Sequence, residues 1–353
     1  MNGKIQIVCG GQYGSEGKGN VAGYLAKGRG EGLIAVRVAG PNAGHSALDQ
    51  TGRKWALRQI PVMAVTNLEA QLVIAAGSEI DPGVLYDEVA GLEDAGIPIL
   101  DRLWVDPTAT VITDEHKQQE GGYGGALTQK LGSTAKGIGA ARADRIWRRA
   151  PQWEDFSWDE RHRLDIRTGN TAELMRRALL FSQDVIIEGT QGYALGLHAG
   201  HYPYCTSSDC RFTDFMAMAG LNCFDGHVEP WVVLRTYPIR VAGNSGPLKG
   251  ETDWETLSQI TRGYIQQERT TVTQKVRRVG TWDSDLAREA VQANGGREAK
   301  VDGVIGSPHV GRRCSCGGAL AFSEPEKSQK LIRDIVESAY DHGADMIVTP
   351  CPL

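Results

Sequence analysis

No apolar run in the chain approaches the ~20 residues needed to span a bilayer. The apolar stretch near its start is only a strand long, too short for the core of a secretion signal. Cysteine is sparse, seven in 353 residues. They stand at Cys9, Cys205, Cys210, Cys223, Cys314, Cys316 and Cys351, an odd number in a large chain that fits a reducing cytoplasm better than a disulfide framework. Surplus positive charge is lacking too: a net charge of −5 excludes bulk binding to nucleic acid, which wants a basic surface. No internal repeat, low-complexity tract or Pro/Gly/Ser linker divides the chain, so one large domain over 1–353 with loop insertions is expected. A cytoplasmic location and no membrane contact follow as expectations.

What remains is the composition of an ordinary soluble enzyme, 41% hydrophobic and 23% charged. Its basic residues gather locally, at 142–149 and 275–278, as suits a pocket for small anions. Strand and helix patterns alternate, which predicts an α/β fold with a large, mostly parallel central sheet. Buried strands are read at 4–9, 33–38, 72–76, 184–188, 231–235 and 346–349. The strongest helical face runs over 325–342, with Ser323 and Glu326 as a capping box and Gly343 as its stop. Residues 116–139, rich in glycine, lysine and glutamine, are expected to be a mobile functional loop.

The stretch Gly10-Gly-Gln-Tyr-Gly-Ser-Glu-Gly-Lys-Gly19 lies between the first strand and a helix. Glycines there turn backbone N–H groups toward an anion, and the helix amino end adds its positive dipole. Lys18 adds a full charge for phosphates. The loop is P-loop-like but not standard, because Gln12 replaces the first glycine of GxxxxGK[ST] and Gly19 replaces the magnesium-holding hydroxyl. A tight turn without a ligand would also fit. Gly40-Pro-Asn-Ala-Gly-His-Ser46 follows the second strand, placing His45 as a general acid or charge stabiliser, or as an ordinary polar residue. Ile187-Glu-Gly-Thr-Gln-Gly192 and His201-Tyr-Pro-Tyr-Cys-Thr-Ser-Ser208 offer Gln191 and Thr206 as neutral hydrogen-bonding groups for a nucleobase or phosphate edge, or simply form a hairpin or turn-rich connection. In 268–280, threonines and cations interleave as a cradle for carboxylate or phosphate, or simply as a solvated charge run. Cys314 and Cys316 read as half of a zinc site or as free thiols.

Taken in order, GGQYGSEGKG, GPNAGHS, GSTAKGIG (132–139), EGTQG, YPYCTSS and TTVTQKVRRVG resemble the adenylosuccinate synthetases over roughly residues 4–290. That resemblance implies an α/β homodimer that phosphorylates the 6-oxygen of a purine nucleotide and then joins aspartate at C6. Position by position, it implies phosphate contacts from Lys18, Gly14, Glu16, Gly17 and Gly19, a magnesium contact at Gly44, and His45 as the acid. Asn42, Thr134, Gln191 and Thr206 would contact the nucleoside monophosphate, and Arg148 would reach it across the dimer. Thr271, Thr273, Lys275 and Arg277 would hold aspartate. Lys300 and Asp302 loosely resemble the element that reads the donor base.

Position 15 departs from the family. Ordinary members carry an aspartate there, as catalytic base and magnesium ligand, and general-base help is worth ~10²–10⁴ in rate. Here it is Ser15, which leaves room for an amino group at purine C2. The chain thereby resembles the viral variety of the family, which joins aspartate to dGMP on the way to 2-aminoadenine in DNA. Lys275, in place of an arginine near the ribose hydroxyls, points the same way. The implied partners are dGMP, L-aspartate, magnesium and ATP or dATP rather than GTP, in a host cytoplasm if the protein is viral. Ser15 is then the candidate for the N1 proton and a metal contact. An ordinary synthetase using IMP and GTP, or an inactive nucleotide-binding homologue, are the alternatives.

Overall fold

The computed structural model describes residues 2–121, 131, 134–158, 164–260, 267–269, 275–296 and 300–304. The fold is α/β, with a central, mostly parallel sheet, as expected. It divides into two compact units: residues 1–8, 18–190 and 212–229 form the first, and residues 9–17, 191–211 and 230–353 the second.

In the first unit, strands β1 (Lys4–Gly10), β2 (Ile34–Ala39), β5 (Gln71–Ile80), β6 (Leu103–Val105), β8 (Arg167–Thr168) and β9 (Val185–Glu188) pair in parallel in the order β1-β9-β2-β5-β6-β8, and the short β7 (Thr110–Val111) pairs in parallel with β5. Every residue of β2 and β9 is buried, which is why both read as continuous apolar runs rather than alternating ones. Helix α1 (Lys18–Ala26) follows β1, and α2 (Pro82–Asp94) follows β5 with proline at its start, where a missing N–H costs nothing. The hairpin β3 (His45–Leu48) and β4 (Lys54–Leu57) is closed by Asp49, whose Oδ1 accepts from the backbone N–H groups of Thr51 and Arg53.

The expected loop at 116–139 begins instead as helix α3 (Asp114–Gly121). Its polar sequence has no helical apolar period, and tertiary contacts supply what periodicity lacks. His116 and Glu120 are buried, and the Glu120 carboxylate accepts from the N–H groups of Gly137, Gly139 and Ala140, capping the helix Ile138–Ile146.

In the second unit, β10 (His227–Arg235), which starts in the first, runs parallel to β14 (Lys300–Val304). Val232 and Leu234 pack on Ala287 and Val291 of the helix Ser284–Ala293, whose first turn is capped by Asp283. Strands β11 (Ile239–Arg240), β12 (Glu251–Thr252) and β13 (Arg278–Gly280) form a small antiparallel sheet over Tyr237, Trp254 and Leu257. The helix read at 325–342 and the strand at 346–349 lie outside the described residues.

Gly189, directly after β9, shows how tightly the carboxyl ends of the strands are packed. A Cβ there would lie 2.4 Å from Phe215 Cε2 and 2.6 Å from the Val8 carbonyl oxygen. Gly189→Ala is therefore expected to destabilise the protein by about 1–3 kcal/mol in urea denaturation. Gly91→Ala, in the exposed middle of α2 with nothing within 4 Å of the new methyl, is expected to stabilise it by about 0.5–1 kcal/mol.

Candidate active site

The glycine loop is shaped from inside by a carboxylate. Glu16 is fully buried, and its Oε1 accepts from the N–H groups of Gln12 (3.0 Å) and Gly14 (2.8 Å). Room for it comes from two motifs far apart in sequence. A Cβ at Gly10 would meet Glu16 Oε2 at 2.6 Å, and one at Gly192 would meet Oε1 at 2.5 Å. Glu16 thus serves the loop's conformation, and the Gln12 and Gly14 amides are spent on it rather than on a ligand.

Beyond Gly14 the chain turns through the left-handed region, with φ of +82° at Gly14, +59° at Ser15 and +100° at Gly17. A serine there is uncommon and must be held by its surroundings. The Ser15 carbonyl accepts from Arg235 Nη1 (2.8 Å), and its Oγ accepts from Arg277 Nη1 (2.7 Å). An oxygen already accepting from a guanidinium is a poor proton acceptor, and its own O–H is left to donate. This geometry suits Ser15 as a hydrogen-bond donor better than as the proton acceptor expected of it.

In the first unit, Lys18 and Gly19 open α1 beside the start of β3. A Cβ at Gly19 would lie 2.8 Å from His45 Cβ and 2.9 Å from the Ser46 carbonyl oxygen, so glycine at 19 lets the helix end reach His45. His45 Nδ1 is hydrogen-bonded to Glu188 Oε1, and Arg37 Nη1 lies 2.9 Å from that oxygen. Glu188 Oε2 accepts from the Val62 N–H (2.7 Å). Burial is the largest single influence on the Glu188 carboxyl and would raise its pKa, but the Arg37 charge together with His45 and the Val62 N–H overcomes it and holds the carboxyl below its ordinary range. An ionised carboxylate only accepts, so Nδ1 carries the proton and Nε2 presents its lone pair. Burial first, then Arg37 and Lys18, bring the His45 pKa from 6.5 down to about 4 against the pull of Glu188. At neutral pH the imidazole is uncharged.

The remaining expected residues fall as follows. Asn42 sits half-buried in the turn before β3, and Gly44 is exposed at the end of that turn. Gln191 adopts φ +59° and its backbone lies against Gly10 and Gly14. Thr206 donates its N–H to Leu195, and Thr134 is exposed. Arg148 is exposed, with its guanidinium on the Ile146 carbonyl. Lys275 is exposed beside Arg277. Thr271 and Thr273 lie outside the described residues, as do Cys314 and Cys316. Lys300 and Asp302 lie in β14, opposite Trp231 and Val233 of β10.

Among the described residues no three of His, Cys, Asp or Glu gather to hold a metal. A magnesium ion carried largely by phosphate oxygens and water needs few protein ligands, and the Gly44 backbone fits that use. Ser15 does not fit as a metal ligand in this arrangement, because the Arg277 cation already occupies its oxygen.

The adenylosuccinate synthetase family model matches residues 7–168 and 157–303. The adenylosuccinate synthetase of Pyrococcus horikoshii is 37% identical over 289 residues, covering 82% of this chain and 80% of the relative. That of Methanocaldococcus jannaschii is 36% identical over 332 residues, covering 94% and 90%. The chain belongs to the adenylosuccinate synthetase family. It is thereby a C–N ligase of purine nucleotide synthesis. Among solved structures it is similar to the succinoaminodeoxyadenylate synthetase of cyanophage S-2L, bound to dGMP and to dATP as an energy donor. The TM-score is 0.76 at 28% identity, over 99% of this chain and 92% of that one. The fully ligated Plasmodium falciparum adenylosuccinate synthetase shares the fold, with a TM-score of 0.70 at 22% identity over 84% and 76%.

Arg37, Glu188, Arg235 and Glu268, which hold these residues, were not singled out from the sequence. The available signal was a charge inside or at the end of a strand otherwise wholly apolar, as in Ile34-Ala-Val-Arg-Val and Trp231-Val-Val-Leu-Arg.

Because the unfolded histidine takes a proton below about pH 6.5 and the folded one refuses it until about pH 4, folding stability falls across that window. The loss attributable to His45 is on the order of 3 kcal/mol and is complete below pH 4. His45→Asn lacks it. Urea denaturation from pH 7.5 to 4 is expected to show the wild type losing more stability than the variant on acidification; parallel curves would refute the neutral imidazole.

Proposed function

We propose that this chain joins L-aspartate to C6 of dGMP at the expense of ATP or dATP, giving 2-amino-2′-deoxy-N6-succinoadenylate. The observation that carries this reading is the neutral hydroxyl of Ser15, fixed by Arg277, at the position where ordinary members of the family have a carboxylate. A hydroxyl is smaller than a carboxylate and tolerates the C2 amino group that distinguishes guanine from hypoxanthine. Structural likeness to the cyanophage enzyme over nearly the whole chain supports the same reading.

In this reading the guanine O6 takes the γ-phosphoryl group, the nucleoside diphosphate departs as the bond to the γ-phosphorus breaks, and the N1 proton passes to water. The aspartate amine then attacks C6, and phosphate departs with the C6–O6 bond. Lys18 and the amino end of α1 would receive the phosphoryl group. Magnesium, bound with the triphosphate, would neutralise phosphate charge, with Gly44 as its contact on the chain. A phosphoryl anion arriving at His45 Nε2 would leave the ring between two anions, itself and Glu188. An imidazole so placed takes up a proton and can act as the acid. Arg277, with Thr271, Thr273 and Lys275, would hold the aspartate carboxylates, while Asn42, Thr134, Gln191 and Thr206 would contact the monophosphate. Lys300 and Asp302 are assigned to the donor base. The exposed Ile146 and Trp147 beside Arg148 suit contact with a second copy, from which Arg148 would reach the monophosphate.

A second reading, IMP with GTP, has the archaeal identities of 36–37% in its favour. Phosphate release with magnesium, aspartate and each of ATP, dATP and GTP, comparing dGMP, GMP and IMP with products identified by mass, separates the two. The expected outcome is a dGMP rate at least about tenfold above IMP, the size a single well-placed polar contact commands. Preference for IMP would return the chain to the ordinary reaction, and no turnover with any pair would favour an inactive homologue.

A further inference from the structure

The buried pair Arg235–Glu268 has no part in the roles assigned above, yet it touches position 15 from two directions. Arg235 closes β10 with its side chain 5% exposed, and Glu268 is 10% exposed. Arg235 Nη2 is hydrogen-bonded to Glu268 Oε1, while Nη1 donates to the Ser15 carbonyl. The Arg235 backbone is held by the Gln12 side chain, which accepts from its N–H (2.9 Å) and donates to its carbonyl (2.8 Å). The Tyr237 ring lies 4.5 Å from the guanidinium carbon. On the other side, the Glu268 carbonyl accepts from the Arg277 N–H (2.9 Å), and Arg277 Nη1 returns to Ser15 Oγ. These contacts close a ring: Ser15 carbonyl, Arg235, Glu268, Arg277, Ser15 hydroxyl.

A ring of this kind does two things. It grips both ends of a serine that sits at φ +59°, where an unsupported serine would relax to an ordinary conformation. It also holds the isolated antiparallel bridge Arg269↔Val276, directly before Arg277. We propose that Arg235 and Glu268 are positioning residues: they set the Ser15 hydroxyl and the Arg277 guanidinium as one unit, so that recognition of the purine edge and of the amino-acid carboxylate are coupled. This rests on the roles given to Ser15 and Arg277 under the proposed function.

Glu268→Gln keeps the size and one hydrogen bond but removes the charge that holds Arg235. Arg235→Lys keeps the charge but can no longer serve Glu268 and the Ser15 carbonyl together. The double variant Arg235→Gln/Glu268→Gln leaves no lone charge buried. Steady-state kinetics should be measured with whichever purine nucleotide the wild type turns over, together with the thermal midpoint. Both single variants and the double are expected to raise KM for aspartate and KM for the purine nucleotide together, each by about tenfold, with KM for the triphosphate unchanged. Arg235→Lys should show the smallest effect. If only one of the two constants moves, the coupling is refuted. If neither moves in folded protein, the positioning role is refuted. If even the double variant fails to fold, the pair serves the whole fold and the proposal falls. Use of IMP by the wild type would overturn the substrate reading while leaving this test intact.

Discussion

Glu188 and Arg37 stand opposite one another in the register of β9 and β2, with neither side chain exposed to solvent. A buried ion pair contributes little net stability, but removing one partner strands the other charge and costs several kcal/mol. The sheet can therefore carry this pair only complete. Once complete, it organises its neighbours. Glu188 reaches Val62 with one oxygen and His45 with the other. The tautomer of His45 follows from a carboxylate that must be ionised and fully bonded, while burial and the Arg37 charge keep the ring neutral against that carboxylate's pull.

The second unit applies the same logic to the glycine loop. Glu16 organises the turn by absorbing two of its amides, and Arg235 and Arg277 then fix the residue that comes before it. In the proposed reading, Ser15 is the point at which a family scaffold meets a changed residue. With a carboxylate there, Arg277 would face an anion at hydrogen-bond distance; with serine it faces a neutral oxygen and keeps its charge for a ligand. The change alters the electrostatics around position 15 as well as the space available to a purine.

Much of this was legible in the sequence because two-sided burial writes itself as apolar runs, and the strands at β1, β2, β5, β9 and β10 were read from those runs. The loops that carry Lys18, His45 and Gln191 could be placed at strand ends because glycine clusters follow the apolar runs there. The part Glu16 plays in shaping its own loop was not legible, because the space it fills is made by Gly10 and Gly192, some 180 residues apart, and only the fold brings them together. The helix Asp114–Gly121 was missed because its stability comes from a carboxylate capping another helix rather than from an apolar stripe. The Ser15–Arg277 hydrogen bond was equally invisible, since nothing in either motif says which donor meets which acceptor.

In the proposed function, position 15 sets the choice of purine. The most direct test is the ratio of turnover for dGMP to that for IMP, each as kcat/KM with saturating aspartate and triphosphate, in the wild type and in Ser15→Asp. The substitution is expected to lower the ratio by at least about tenfold, as the new carboxylate pairs with Arg277 and crowds the C2 amino group. A ratio unchanged by the substitution in folded protein would contradict it.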